Sequence, residues 1–266
     1  MIKFIETTAF KDLELDIEGK DIILISGMAG IGSIGKIAAD AIKDHFKADL
    51  VCTIYFDDLP SQVLVEKAGK MVLPSVQVYY AKPTENKRFF IVTGEFQPAS
   101  NNGMFIFVDE LLNFLVEKKR LHLSLILSIG AYVTENPDDY PKVHVSGTGD
   151  RVINEFVALD KDIMRVMEEG IISGANGVIP AFGTILGIPG VCLLVETIPV
   201  VKRDPRAAKA VLEILSKYFE FPFDFSAIEK ESKEIEKILN DIKKRSKSAG
   251  DLTDSDAAKD RQSYIG

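Results

Sequence analysis

The sequence predicts an α/β fold: a mostly parallel sheet with flanking helices, β-hairpin additions and a C-terminal amphipathic helix. Short apolar runs rich in Ile, Val and Leu recur between segments whose apolar residues fall at helical spacing, the alternation that defines α/β architecture. The first run, 22–25, enters a glycine-rich turn that opens a helix. At 266 residues, 46% hydrophobic and 27% charged, the chain is long enough to bury one substantial core.

Strands are expected at 21–26, 49–56, 89–93, 123–129 and 190–196, and their spacing suggests parallel pairing. Helices are expected at 34–45, 104–118 and 162–170; in the second, Phe107, Leu111, Leu112, Leu115 and Val116 mark the buried stripe. After Pro74 the chain alternates with period two, and a charged turn precedes Phe89, the pattern of a β-hairpin. Residues 143–149 supply a further strand near the sheet edge, ending in a turn. The stretch 171–190 is rich in Gly and small residues. It either lines a pocket beside the first glycine turn or joins a helix to the next strand while making a protein interface.

From 226 to 247 a narrow stripe of Ile228, Ile235, Ile238, Leu239 and Ile242 runs through a highly charged segment, an amphipathic helix that packs on its own body or on another subunit. Beyond it, 246–266 holds only scattered apolar side chains, too few to offset the entropy of ordering. The expected organisation is an α/β body over 1–225, a helix over 226–245 and a disordered tail over 246–266.

The formal charge of −8 argues against a nucleic-acid or anionic-membrane binder, since no general basic surface offsets phosphate repulsion. No apolar stretch is long enough to span a bilayer and the N-terminus has no signal-type apolar core. Cys52 and Cys192 both sit in apolar runs, as buried thiols of a reducing compartment do, so a cytoplasmic location is expected. His45, His122 and His144 are scattered without zinc-ligand spacing and fit surface or edge positions; neither metal nor cofactor is expected. Ser26 is not in a nucleophile elbow. The carboxylate pairs Asp57-Asp58 and Asp138-Asp139 fit exposed loops and helix caps better than acid–base chemistry. Glu95 follows a strand, where ligand sites of open α/β sheets gather.

The glycine turn holds Gly27, Gly30, Gly32 and Gly35. Gly30 to Gly35 match G-x-G-x-x-G, but Lys36 is followed by Ile37 where a phosphate loop needs a hydroxyl. The turn therefore serves close backbone packing or, less completely, a phosphate. The second use defines an alternative function: a nucleoside- or nucleotide-acting hydrolase or transferase with Gly30, Gly32 and Gly35 against phosphate and Glu95 as base.

Several blocks in order resemble the proteasome-assembly-chaperone family, in particular its archaeal members. They are Gly27-Met28-Ala29-Gly30-Ile31-Gly32-Ser33-Ile34-Gly35-Lys36, Leu73-Pro74-Ser75-Val76-Gln77-Val78-Tyr79, Gly94-Glu95-Phe96-Gln97-Pro98, Gly130-Ala131-Tyr132-Val133-Thr134, and Ile172 to Gly177 followed by Glu196-Thr197. The resemblance spans about 20–240 and implies a fold similar to nucleoside phosphorylases, a homo-oligomer, and an ATP-independent chaperone rather than an enzyme. Its implied partner is the proteasome α-subunit or core particle. Members that dock on a proteasome often end in an apolar residue, Tyr and any residue; here Tyr264-Ile265-Gly266 places Tyr third from the end, after Ser263. The residues implied for contact are Tyr264, Ile265 and Gly266, with Glu95, Gln97 and Tyr132 on the folded body.

Overall fold

The structure, a computed structural model, describes residues 1–11, 16–135 and 140–233. In chain order it forms β1 (Ile2–Glu6), α1 (Thr8–Lys11), β2 (Asp21–Met28), α2 (Ile34–His45), β3 (Asp49–Phe56), β4 (Leu64–Val65), β5 (Met71–Val72), β6 (Val76–Ala81) and β7 (Lys87–Gly94). There follow α3 (Asn101–Leu112), widening to a π-helix over Asn113–Lys118, then β8 (Leu123–Val133), β9 (Val143–Gly147), α4 (Asp150–Val157) and β10 (Met164–Val166). The described residues close with α5 (Ala175–Leu186), β11 (Gly190–Thr197), α6 (Pro205–Phe219) and a final helix, α7, over 226–233.

Nine strands make one sheet in the order β1-β3-β6-β7-β2-β8-β11-β9-β10. Its centre, β7-β2-β8-β11, is parallel. The hairpin partner β6 runs against both β7 and β3, which returns β3 to the direction of the central four. All five strands anticipated from their apolar runs therefore point the same way, and the oppositely directed β1, β6, β9 and β10 complete the sheet. The central strands are buried on both faces, which is why they read as unbroken apolar runs.

On one face α2, α4 and α6 cover Ile23, Ile25, Phe89, Leu127 and Leu193 through Ala38, Ile42, Phe156, Val211 and Leu215. On the other, α1, α3 and α5 cover Leu24, Val78, Phe90 and Ile126 through Phe10, Phe107, Leu111 and Ile179. The helix α3 starts at Ser100, whose hydroxyl accepts from the Gly103 amide at 2.9 Å.

Two expectations are corrected. Residues 162–170 are not a helix: Met164–Val166 pairs in parallel with β9. Ile163, Val166 and Met167 do fall at helical spacing, but buried Met164 completes a ladder with Val143, and pairing at the sheet edge overrides the local pattern. The segment 171–190 is no mere connection, since it contains α5, with Pro180 inside the helix. Of the amphipathic helix expected at 226–245, the part to 233 is helical, with Ile228 buried against the core. The remainder, the tail over 246–266 and the pair Asp138-Asp139 lie outside the described residues.

Candidate functional site

Parallel pairing of β7, β2, β8 and β11 brings their C-terminal ends to one edge of the sheet, and with them the glycine turn, Glu95, Gln97 and Tyr132. Gln97 is the link between elements there. Its Nε2 donates to the Ala29 carbonyl and its Oε1 accepts from the Ala175 amide, both at 2.9 Å. One amide thus ties the turn after β2 to the first turn of α5, whose N-cap, Gly174, has no side chain to do so.

The glycine turn is filled by the chain itself. A Cβ on Gly27 would stand 2.2 Å from the Gly35 carbonyl oxygen, and one on Gly35 would stand 2.3 Å from that of Ile129. These glycines let α2 lie directly on β2 and β8. Gly32 takes a left-handed conformation with φ of 62°, and its carbonyl accepts the Asp204 amide at 2.8 Å. The fully buried Asp204 carboxylate accepts from the Thr197 hydroxyl at 2.7 Å and from the Ala207 amide at 3.1 Å, and Arg206 lies 3.3 Å away. A carboxylate beside the turn opposes a phosphate; close packing accounts for Gly27 and Gly35, and the left-handed backbone for Gly32.

Glu95 is mostly exposed and pairs with Lys36 Nζ at 3.2 Å, which also contacts Asp40 at 2.7 Å. It is part of a surface ion-pair network. Tyr132 stands apart from these residues and stacks on His144, with ring centroids 4.0 Å apart and planes 7° from parallel. His144 Nε2 lies 3.2 Å from Glu196 Oε1, while Glu196 Oε2 accepts the Lys142 amide at 3.2 Å. His144 is therefore a largely enclosed member of a sheet cluster rather than a surface histidine. Tyr264, Ile265 and Gly266 lie outside the described residues.

Asp58 accepts from the Ser100 amide and hydroxyl at 2.9 Å, bracing the start of α3. Cys52 and Cys192 are both buried and free, and burial pushes each thiol up to about 12. Among the described residues, no three His, Cys, Asp or Glu gather as a metal ion requires. No helix there is long and apolar enough to cross a membrane. Around this edge Ile31, Ile171 and Val200 expose apolar side chains, so the arrangement offers a surface of apolar groups with scattered charges.

Sequence reasoning missed the Asp204 lock, although Asp204-Pro205 carries the signal, an N-cap acid followed by Pro at the first helical position. It also missed Ser128, whose hydroxyl donates to the Asn176 carbonyl beneath α5; no local pattern announces that contact.

Comparison with known proteins agrees with this architecture. The family model for the PAC2 family matches residues 24–243. The chain is 30% identical over 244 residues to an uncharacterized protein of Methanocaldococcus jannaschii, covering 92% of this chain and 90% of that one. Among solved structures it is similar to Pyrococcus furiosus PbaB, described as an archaeal proteasome activator, with a TM-score of 0.80 and 26% identity over 91% of this chain and 98% of that one. It shares the fold of Pyrococcus furiosus PbaA, described as an archaeal homolog of proteasome-assembly chaperone, with a TM-score of 0.69 and 22% identity over 93% and 94% of the two chains. With a match that spans the central sheet and every long helix around it, the chain belongs to the PAC2 family.

Proposed function

We propose that this protein is an ATP-independent, cytoplasmic, homo-oligomeric proteasome assembly chaperone that binds proteasome α-subunits or the core particle without covalent chemistry. The observation that carries the reading is the glycine turn closed by Gly35, Gln97 and Asp204, in a chain similar along most of its length to PbaB. The turn shapes the body, and the edge bearing Glu95, Gln97, Ile31 and Val200 faces the partner. Binding stabilises an assembly-competent state of the client and is lost when the final subunit interface competes more strongly. Tyr264, Ile265 and Gly266 supply a second contact from the tail.

The test is a pull-down with native-mass analysis against α-subunits from the same source, using the full chain and a chain ending at Ser263, without nucleotide. A complex with the full chain alone supports tail docking, and one with both chains places recognition on the body. No complex with either removes the proteasome assignment. Saturable binding of a nucleoside or nucleotide lost in Gly30→Ala would instead support the hydrolase or transferase.

A further inference from the structure

We propose that the cavity at the N-terminal edge of the sheet, between the start of α4 and the end of α5, binds a free α-amino acid with an apolar side chain. The cavity, of about 600 Å³, lies across the beginnings of β2, β7 and β8, which bring Asp21, Lys87 and Ser124 to it. That volume is in the range of small-molecule sites. Glu95, Gln97 and the glycine turn are at the other end of these strands, so the cavity is separate from the edge assigned to the partner. Buried Ile23, Leu125, Val152 and Phe219 give it an apolar lining, and the more exposed Asp21, Lys87 and Arg151 give it charges of both signs.

The start of α4 is the positive pole. Its N-cap, Gly149, has no side chain to accept the first amides, which are left open to an anion. Arg151, in that first turn, donates from Nε to Glu155 Oε1 at 2.9 Å, and its two Nη nitrogens have no partner among the described residues. A free guanidinium fork of this kind fits a carboxylate. Tyr218 donates to Glu155 Oε2 at 3.2 Å, so both oxygens of Glu155 are engaged. Asp150, the first residue of α4, is exposed and does not line the cavity.

The end of α5 is the negative pole. Beyond the Gly183 carbonyl, which accepts the Gly187 and Ile188 amides, its last carbonyls have no helical partner. Asp21 adds a carboxylate. Ser124 donates to its Oδ1, while Lys87 Nζ stays 3.5 Å from its Oδ2, longer than a hydrogen bond, so that oxygen has room for a closer ammonium. The two poles are tied side by side: Thr148, just before α4, accepts the Gly190 amide on its hydroxyl and donates its own amide to the Gly190 carbonyl, both at 2.9 Å. A free α-amino acid carries its carboxylate, ammonium and side chain on one carbon, and the neighbouring poles with the apolar lining match all three. An anion alone would leave Asp21 unmatched, and a cation alone would leave Arg151 unmatched.

The experiment is calorimetric titration of the full chain with L-leucine and L-phenylalanine. The expected result is saturable binding of at least one, weakened at least about tenfold in glycine, N-acetyl-leucine and leucinamide, which lack in turn the side chain, the ammonium and the carboxylate. Arg151→Gln and Asp21→Asn should each weaken binding at least about tenfold, and Lys67→Gln, at an exposed lysine between β4 and β5, should leave it unchanged. The Arg151 side chain is 88% exposed, so its variant keeps the fold and decides the matter if Asp21→Asn is unstable. No saturation by either amino acid at about 10 mM overturns the proposal. Equal binding of N-acetyl-leucine makes this a site for carboxylates and overturns the zwitterion. Binding that survives both substitutions lies elsewhere and overturns the cavity. Capture of α-subunits is read separately, and its failure leaves the titration result standing.

Discussion

The Asp204 amide donates to the Gly32 carbonyl across 2.8 Å, while the Asp204 side chain caps α6 at the Ala207 amide. One residue closes the glycine turn from the outside and starts the longest helix on that face. Asp204→Ala removes the cap, the acceptor of the Thr197 hydroxyl and the partner of buried Arg206. A lost cap costs about 1 kcal/mol, and stranding a buried charge raises the total to about 3 kcal/mol or more. Asp204→Asn keeps an acceptor for the Ala207 amide and should lose less. Urea unfolding of the three proteins checks the order, and an Asn variant as unstable as the Ala variant would contradict it.

Two glycines of the same turn should respond oppositely to a methyl group. At Gly27 the new Cβ meets the Gly35 carbonyl oxygen and the Ala39 Cβ, at 2.2 and 2.5 Å. Overpacking of this kind costs about 1–3 kcal/mol, and more where backbone must move. At Gly30 the nearest atom is Gln97 Nε2 at 3.6 Å, and φ of −156° suits any residue. Thermal denaturation should therefore show Gly27→Ala strongly destabilised and Gly30→Ala nearly unchanged. Equal losses would mean that Gly30 is confined as tightly as Gly27.

What the sequence disclosed follows a physical division. The double burial of β2 and β7 leaves a mark on every residue, so runs such as 21–26 and 89–93 located the parallel centre, and the stripe at 34–45 located α2 with both ends correct. Strand β10 left no such mark: it is three residues long, only Met164 of them is buried, and its hydrogen bonds go to a strand about twenty residues away. The sequence likewise singled out Gly30, Glu95, Gln97 and Tyr132 without saying who touches whom. Gln97 joins Ala29 to Ala175 over 68 and 78 residues of sequence. Tyr132 goes instead to His144 on β9, reaching across the intervening strand β11, a contact that no motif announces.

The Gln97 bridge yields its own measurement. Gln97→Glu retains an acceptor for the Ala175 amide but sets a carboxylate against the Ala29 carbonyl, where an N–H had donated. Gln97→Ala removes both bonds and strips the first turn of α5 of its acceptor. Each variant should lose about 1–2 kcal/mol. Hydrogen exchange should quicken at the Ala175 amide in Gln97→Ala and stay slower in Gln97→Glu. Unchanged exchange at Ala175 in Gln97→Ala would show that another group holds the start of α5.

Acid should weaken the fold through Asp16, which stands before β2 and gathers three donors. Lys82 Nζ is 2.8 Å from its Oδ2, Arg88 Nη2 is 2.9 Å from its Oδ1, and the Tyr80 hydroxyl donates to Oδ2. These donors, Lys82 and Tyr80 foremost and then Arg88, hold the carboxyl well below its ordinary 3.8. The unfolded chain takes up a proton near that ordinary value, while the folded chain takes one up only at lower pH. In between, the unfolded state binds more protons, so stability falls as pH falls. The contribution is complete above about pH 5 and disappears as the pH drops through the depressed folded value. Asp16→Asn has no carboxyl to titrate, so it should be less stable than wild type at pH 7 and should converge on it as acid is added. Urea midpoints for both proteins at neutral pH and at stepwise lower pH give the comparison. A gap between the two curves that stays constant down to about pH 2 would show that Asp16 contributes nothing to acid sensitivity.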